Sequence, residues 1–304
     1  MKVWLSLCLS TVAAFGCTAN QSTDAYAADS ESPPSWTGAY FGAGGGGAYL
    51  KAKNDAWARY FEGVQDYSSP PNYVYETLFY AGSSREDGDI GAASLSQYGA
   101  FGTLKAGYDI QASGIVLGVF GNVDFGSTEA RTKGYAFSEH FVGYGIPYDI
   151  HNYGEADATS RVTVGTSAAI GGRIGVLAGE RNLIYGLAGY GLSDVEARFD
   201  ISGTVDGYAG SAHVKGSEWM GGAIIGGGVE RMLTDRMSLG IEYRYTRFGN
   251  LKAETANFFD RSSGTPVPAE FQDCQTVASW ACEDGQLKAS LSLQTIRATL
   301  SYRF

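Results

Sequence analysis

Ile296-Arg297-Ala298-Thr299-Leu300-Ser301-Tyr302-Arg303-Phe304 closes the chain with apolar residues at even positions and polar ones at odd positions. Strict alternation places successive side chains on opposite faces of a strand, one face apolar and the other polar. The stretch from Met237 repeats it. Met237, Leu239, Ile241, Tyr243 and Tyr245 share one face, and Ser238, Gly240, Glu242, Arg244 and Thr246 the other.

Six more segments carry the same rhythm: Trp36–Leu50, Tyr98–Ile110, Ile115–Gly126, Ser167–Ala178, Leu183–Ser193 and Trp219–Met232. In the third, Ile115, Leu117, Val119, Val123 and Phe125 oppose Gly118, Asn122 and Asp124, whereas Leu183–Ser193 has glycine and apolar residues on both faces. Each segment is near the ~9–11 residues that cross a bilayer at a tilt. Gln111–Gly114, Gly179–Asn182 and Leu233–Arg236 are tight turns, while 51–97, 127–166, 194–217 and 249–295 are long connections. Short turns alternating with long loops predict an eight-stranded antiparallel up-and-down transmembrane β-barrel, with both termini on the periplasmic side and long extracellular loops.

Composition agrees. The chain has 43 glycines and 20 tyrosines, with only 18% charged residues, which suits strands and turns better than helices. A net charge of −10 argues against nucleic acid as a partner.

The N-terminus reads as a secretion leader, with Lys2, an apolar run from Val3 to Phe15, and the cleavage motif Ala25-Tyr26-Ala27. The predicted organisation is therefore a leader over 1–27, a periplasmic spacer over 28–35 and a barrel over 36–304. Ala14-Phe15-Gly16-Cys17 offers a competing lipoprotein box, against which stand the bulky Phe15 and the missing leucine.

A barrel in water turns its apolar face inward, and one in lipid turns it outward. Here the polar face is unusually small, with Gly118, Gly175, Gly226, Gly228, Ser238, Gly240, Thr299 and Ser301 among a few charges. Side chains of that size suit a narrow lumen, so the apolar face is assigned to lipid. The charges assigned to the lumen are Lys105, Asp124, Arg173, Glu230, Glu242, Arg244, Arg297 and Arg303, and burial requires them to pair across it. Arg231 and Arg247 fall out of phase and are placed at the membrane edges. Trp36, Tyr108, Tyr185, Tyr302 and Phe304 are predicted to form a periplasmic aromatic girdle, and Phe125, Trp219, Tyr245 and Phe248 an outer one.

The opening Trp36-Thr37-Gly38-Ala39-Tyr40-Phe41-Gly42, the core Gly240-Ile241-Glu242-Tyr243-Arg244-Tyr245 and the closing Ser301-Tyr302-Arg303-Phe304 resemble the small outer-membrane β-barrels of Gram-negative bacteria. The resemblance is to the opacity-like, porin-family surface proteins of alphaproteobacteria. It implies a place in the outer membrane, contact with its lipid and lipopolysaccharide, and Phe304 as the signal read by the barrel-assembly machinery.

Cys274 and Cys282 lie in the last long connection, where a disulfide would contribute roughly 2–3 kcal/mol in an oxidising compartment. His140, His151 and His213 fall in outer connections, where solvated histidines are far commoner than metal or haem ligands. Glu129, Asp149, Glu155 and Asp157 read as solvated acids rather than cation ligands. Gly44–Gly47 lacks the lysine and hydroxyl residue of a phosphate loop. No cofactor is implied and no catalytic spacing stands out. The expectation is a non-enzymatic surface protein whose loops meet host or environmental ligands, with Tyr49, Trp57, Tyr60, Phe61, Tyr73, Tyr75, Phe79 and Tyr80 serving either as anchors for them or to pack the loop together. A narrow porin-like channel is the alternative, and an outer-membrane hydrolase comes after it.

Overall fold

The computed structural model describes residues 34–66, 73–82, 84–86, 89–143, 149–260 and 279–304. The leader with its cleavage site, Cys17, Cys274 with its half of the expected disulfide, and all of the spacer but Pro34 and Ser35 lie outside the described residues.

Eight long strands form the wall: β1 (Gly38–Asp66), β5 (Ala93–Ala112), β6 (Ile115–Gly126), β9 (Asp149–Leu177), β10 (Asn182–Val205), β11 (Tyr208–Met232), β12 (Met237–Asp260) and β13 (Ser279–Arg303). Each pairs antiparallel with its neighbours in chain order, and β1 pairs with both β5 and β13, so the ring closes on itself. Closure brings the first and last wall strands together: Tyr40 lies opposite Arg303, and the Phe304 amide donates to the Ala39 carbonyl at 3.0 Å. Gly44 and Gly46 of β1 face inward at this seam, where any Cβ would run into the Ala298 and Ile296 carbonyls.

The eight predicted segments all fall on these strands, with only Trp36, Thr37, Ala178 and Phe304 beyond their ends, but the four long connections are not loops. They are mostly further strand. β1 and β9 run 29 residues each, and β10 to β13 run 24 or 25. At about 3.3 Å per residue and a tilt near 40°, a 29-residue strand rises roughly 70 Å, against an apolar belt about 25 Å tall. β2 (Tyr73–Gly82) takes the place of β5 beside β1 from Trp57 outward. Against β9, β7 (Thr128–Lys133) and then β8 (Tyr135–Gly143) take over from β6. A short pair, β3 (Ser84–Glu86) with β4 (Asp89–Gly91), stands apart. Above Gly222 and Phe248 the described residues show no pairing between β11 and β12. There Val214 of β11 leans on Gly285 of β13 instead, and the His213 amide donates to Glu283 Oε1 at 2.6 Å.

β1, β5, β10 and β13 keep their facing along their length, while β9 and β12 exchange faces at irregularities between Val164 and Ser167 and between Arg247 and Asn250. Toward the outer half the chemistry of the inner and outer sides changes over. On β13, Thr295, Arg297, Thr299, Ser301 and Arg303 point inward and Ile296 and Leu300 outward. Further out, Leu287, Ala289, Leu291 and Leu293 point inward and Ser290 and Lys288 outward. In the periplasmic half the protein is polar inside and apolar outside, as lipid demands. In the outer half it is apolar inside, with Leu50, Val162, Val195, Phe199, Ile201, Val214, Leu251 and Leu287 in one cluster, as water demands.

Candidate functional site

The lumen is the feature built by all eight strands. Its lower layer centres on Asp109 of β5, which accepts hydrogen bonds from Arg173 Nε of β9 at 2.9 Å and from Arg303 Nη2 of β13 at 2.9 Å. Arg173 Nη1 donates to Glu230 Oε2 of β11 at 2.9 Å, and Ser238 of β12 donates to Glu230 Oε1 at 2.6 Å. Lys105 Nζ lies 3.9 Å from the same glutamate. The Tyr40 ring of β1 is flanked by Arg173 at 4.7 Å, Arg303 at 5.3 Å and Lys105 at 5.6 Å, a cation–π cluster.

The upper layer joins Glu242 and Arg244 of β12 to Arg297 of β13 and to Asn122 and Asp124 of β6. Arg297 grips Asp124 with two bonds, 3.0 and 3.1 Å, and its Nε stands 3.5 Å from Glu242. Arg244 Nη1 donates to Asn122 Oδ1 at 2.6 Å, and Tyr185 of β10 donates to Glu242 at 2.9 Å. Planar guanidiniums suit this work because each offers a fork of donors to a carboxylate and a flat face to a ring. Arg244 lies 4.6 Å from the Phe120 ring centre and Arg297 5.1 Å from that of Phe101.

All eight residues assigned to the lumen from sequence, Lys105, Asp124, Arg173, Glu230, Glu242, Arg244, Arg297 and Arg303, point into it, and the structure brings them into these two layers. Sequence reading misses Asp109, Asn122 as a bridge, and the rings of Tyr40, Tyr185 and Trp36. The pattern predicts Trp36 and Tyr185 in the periplasmic girdle and Phe248 in the outer one, but all three are buried. Arg303 donates to the Trp36 carbonyl and stacks over its ring, which draws Trp36 inside the barrel mouth. Tyr108, Tyr302, Phe304, Phe125 and Trp219 do face outward, and Arg231 and Arg247 are exposed near the two ends of the apolar belt.

Above the charged layers the apolar cluster fills the outer lumen, with Asn54 and Ser160 joined by a hydrogen bond of 2.5 Å. Between charge and oil sits a cavity of about 30 Å³ lined by Ser167, Ser193, Arg244, Thr246, Thr295 and Arg297, room for about one water. The network therefore cross-links the wall and fills it. Its charged groups engage one another across the barrel.

His140 lies on β8, His151 on the paired strand β9 and His213 on β11, where His213 Nδ1 stands 3.1 Å from Glu283. Among the described residues no group of His, Cys, Asp and Glu could hold a metal ion. Glu129 faces Arg161 at 3.4 Å, and Glu155 and Asp157 edge a shallow outer groove with Tyr60 and Ser202. Cys282 lies on β13, and the side chains of His140, His151 and Cys282 are outside what is described. The aromatics assigned to the first long loop stand on β1 and β2. Outward on the wall, Trp57 stacks with Tyr80 at 6.4 Å, while Tyr80 meets Phe137 at 5.6 Å and Phe137 meets Tyr135 at 6.3 Å with tilted rings.

The family model described as "Outer membrane protein beta-barrel domain" matches residues 10–259. No curated protein matches the chain. Among solved structures it is similar to the outer membrane protease OmpT from Escherichia coli, with 11% identity, 90% of this chain and 98% of that one covered, and a TM-score of 0.41. It is also similar to OprG from Pseudomonas aeruginosa (12% identity, 88% and 98% covered, TM-score 0.37). A third likeness is to Ail, the attachment invasion locus protein of Yersinia pestis (11% identity, 79% and 97% covered, TM-score 0.24). Likenesses this distant do not bear on activity. The family match, together with a closed ring of strands whose membrane-level face is apolar, makes the chain a member of the outer-membrane β-barrel family of Gram-negative bacteria.

Proposed function

We propose that the protein is a closed, non-conducting and non-enzymatic surface barrel that raises a rigid β-wall above the outer membrane and meets host or environmental molecules with it. The observation that carries this reading is the doubly stopped lumen, in which paired charges fill the membrane half and aliphatic side chains fill the outer half. A solute would have to break buried ion pairs and then cross packed hydrocarbon. In planar bilayers the purified protein is expected to give no stepwise conductance above the bare lipid. Steady ion-sized steps would overturn the reading in favour of a narrow channel.

The contact surface we assign is the continuous aromatic run of Trp57, Tyr80, Phe137 and Tyr135, with Arg59 standing 5.9 Å from the Trp57 ring. Aromatic rings beside an arginine are the composition that dominates binding energy at interfaces. Trp57→Ala with Tyr80→Ala is expected to lower adhesion of cells displaying the protein to epithelial or matrix-coated surfaces by roughly tenfold, about 1.4 kcal/mol of binding. Unchanged adhesion at equal surface expression would remove this patch from the proposal.

A further inference from the structure

We infer that the outward face of β12, β13 and β1, just above the apolar belt, binds the phosphate of an outer-leaflet lipid. A groove of about 630 Å³ lies there, lined by Lys51, Lys53, Arg247, Asn250, Ser290 and Ser292. The register sets these side chains in rows across three strands. Arg247, Ser292 and Lys51 form one row, and Asn250, Ser290 and Lys53 the next. A third row, Lys252, Lys288 and Asp55, stands above. Five cations thus share one patch with a single aspartate, in a chain whose net charge is −10. The serines between them are short, which leaves room for an anion and adds hydroxyl donors.

Two contrasts mark this patch as a site rather than a solvated face. On the opposite wall Arg131, Arg161, Arg198 and Lys215 also stand in one row, but carboxylates answer that row. Glu129 is 3.4 Å from Arg161, Asp200 is 2.7 Å from Arg198 and Glu196 is 3.0 Å from Lys215. Among the described residues, none of Lys51, Lys53, Arg247, Lys252 and Lys288 forms an ion pair. Lys252 and Lys288 even stand directly opposite one another, an arrangement that costs stability until an anion bridges it.

The surface beneath selects a lipid over a free anion. Below the cations comes a polar-aromatic band, with the Tyr49 and Tyr98 rings packed at a tilt 4.9 Å apart and Tyr243 donating to Gln294 at 2.9 Å. Below that, outward-facing Gly45, Gly47, Ala100, Gly102 and Ala298 make a shallow trough beside Ile296. A phosphate held by the lysines and an acyl chain laid in the trough describe one amphiphile, standing in the orientation the outer leaflet imposes.

The test uses the full barrel in neutral detergent micelles with three probes: diphosphoryl lipid A, the same lipid freed of phosphate, and inorganic phosphate. Isothermal titration should show the diphosphoryl lipid binding on the order of 100-fold more tightly to the native protein than to Lys51→Gln/Lys53→Gln/Arg247→Gln. The opposite-wall variant Arg131→Gln/Arg161→Gln/Arg198→Gln should change affinity by about twofold or less, and heat-modifiable migration confirms that both variants fold. Equal binding of the dephosphorylated lipid, equal binding by the first variant, or equal loss in the opposite-wall variant would each overturn the assignment. Displacement of the lipid by inorganic phosphate at matching concentration would overturn its lipid part.

Discussion

Asp109 is 0% exposed and holds the guanidiniums of both Arg173 and Arg303, so Asp109→Ala leaves buried Arg303 without a carboxylate and Arg173 with Glu230 alone. Breaking a buried pair from one side costs about 3–5 kcal/mol, because the remaining charge stays desolvated. The expected result is a drop of that size in unfolding free energy in urea titrations on lipid vesicles, with Asp109→Asn losing less because it keeps a carbonyl acceptor. Most of the lumen is legible in sequence because a charge at the polar phase of an alternating strand has nowhere else to go. Asp109 has the same parity as Lys105 and so carries the same signal, but it sits beside the Gln111–Gly114 turn, where an acidic residue reads equally well as part of the turn. Tyr40, Tyr185 and Trp36 escape for a different reason. Aromatic residues near strand ends suggest a girdle, whereas here arginines draw the rings inward by stacking on them.

The outer halves of the strands are the larger omission. Val195, Ala197, Phe199, Ile201 and Val205 alternate with Glu196, Arg198, Asp200 and Thr204 as cleanly as any segment in the chain. Asp206-Gly207 follows, with φ of 50° and 82°, the left-handed pair that a tight two-residue hairpin requires. These signals escape a search for transmembrane strands of membrane length, which assigns every residue beyond that length to a loop. The outer core predicts its own behaviour. Phe199→Ala should destabilise the outer wall by about 3–5 kcal/mol through cavity formation. The membrane half keeps its separate charge network, so the variant should still migrate as a heat-modifiable barrel. Trypsin added to intact cells should then cut at Arg131, Arg161 or Arg198, whose place in paired strands should protect them in the native protein. Resistance equal to the native protein would show that the outer cluster does not hold this wall together.

Across the whole molecule, solvent exposure means different things at different heights. Ile170 is 70% exposed and faces the belt, while Ser290 is exposed on the outer half. Ile170→Arg is expected to cost roughly 2–4 kcal/mol in vesicle-based urea titration, the charge of a lipid-facing arginine near mid-membrane. Ser290→Arg should be within about 0.5 kcal/mol of native, as for an ordinary surface site in water. Similar costs for both would mean that the change in facing chemistry does not mark the membrane boundary.

That change works like the waterline on a hull. On β13 the outward side goes from Ile296 to Ser292 within two strand steps, just where the inward side goes from Thr295 to Leu293. A barrel seated too high lifts Ile296 and its neighbours into water, and one seated too low drags Lys51 and Arg247 into oil. The chain therefore carries its own draught mark, and the height at which the wall presents its aromatic ladder to the outside world is set to within a few ångströms by the membrane itself.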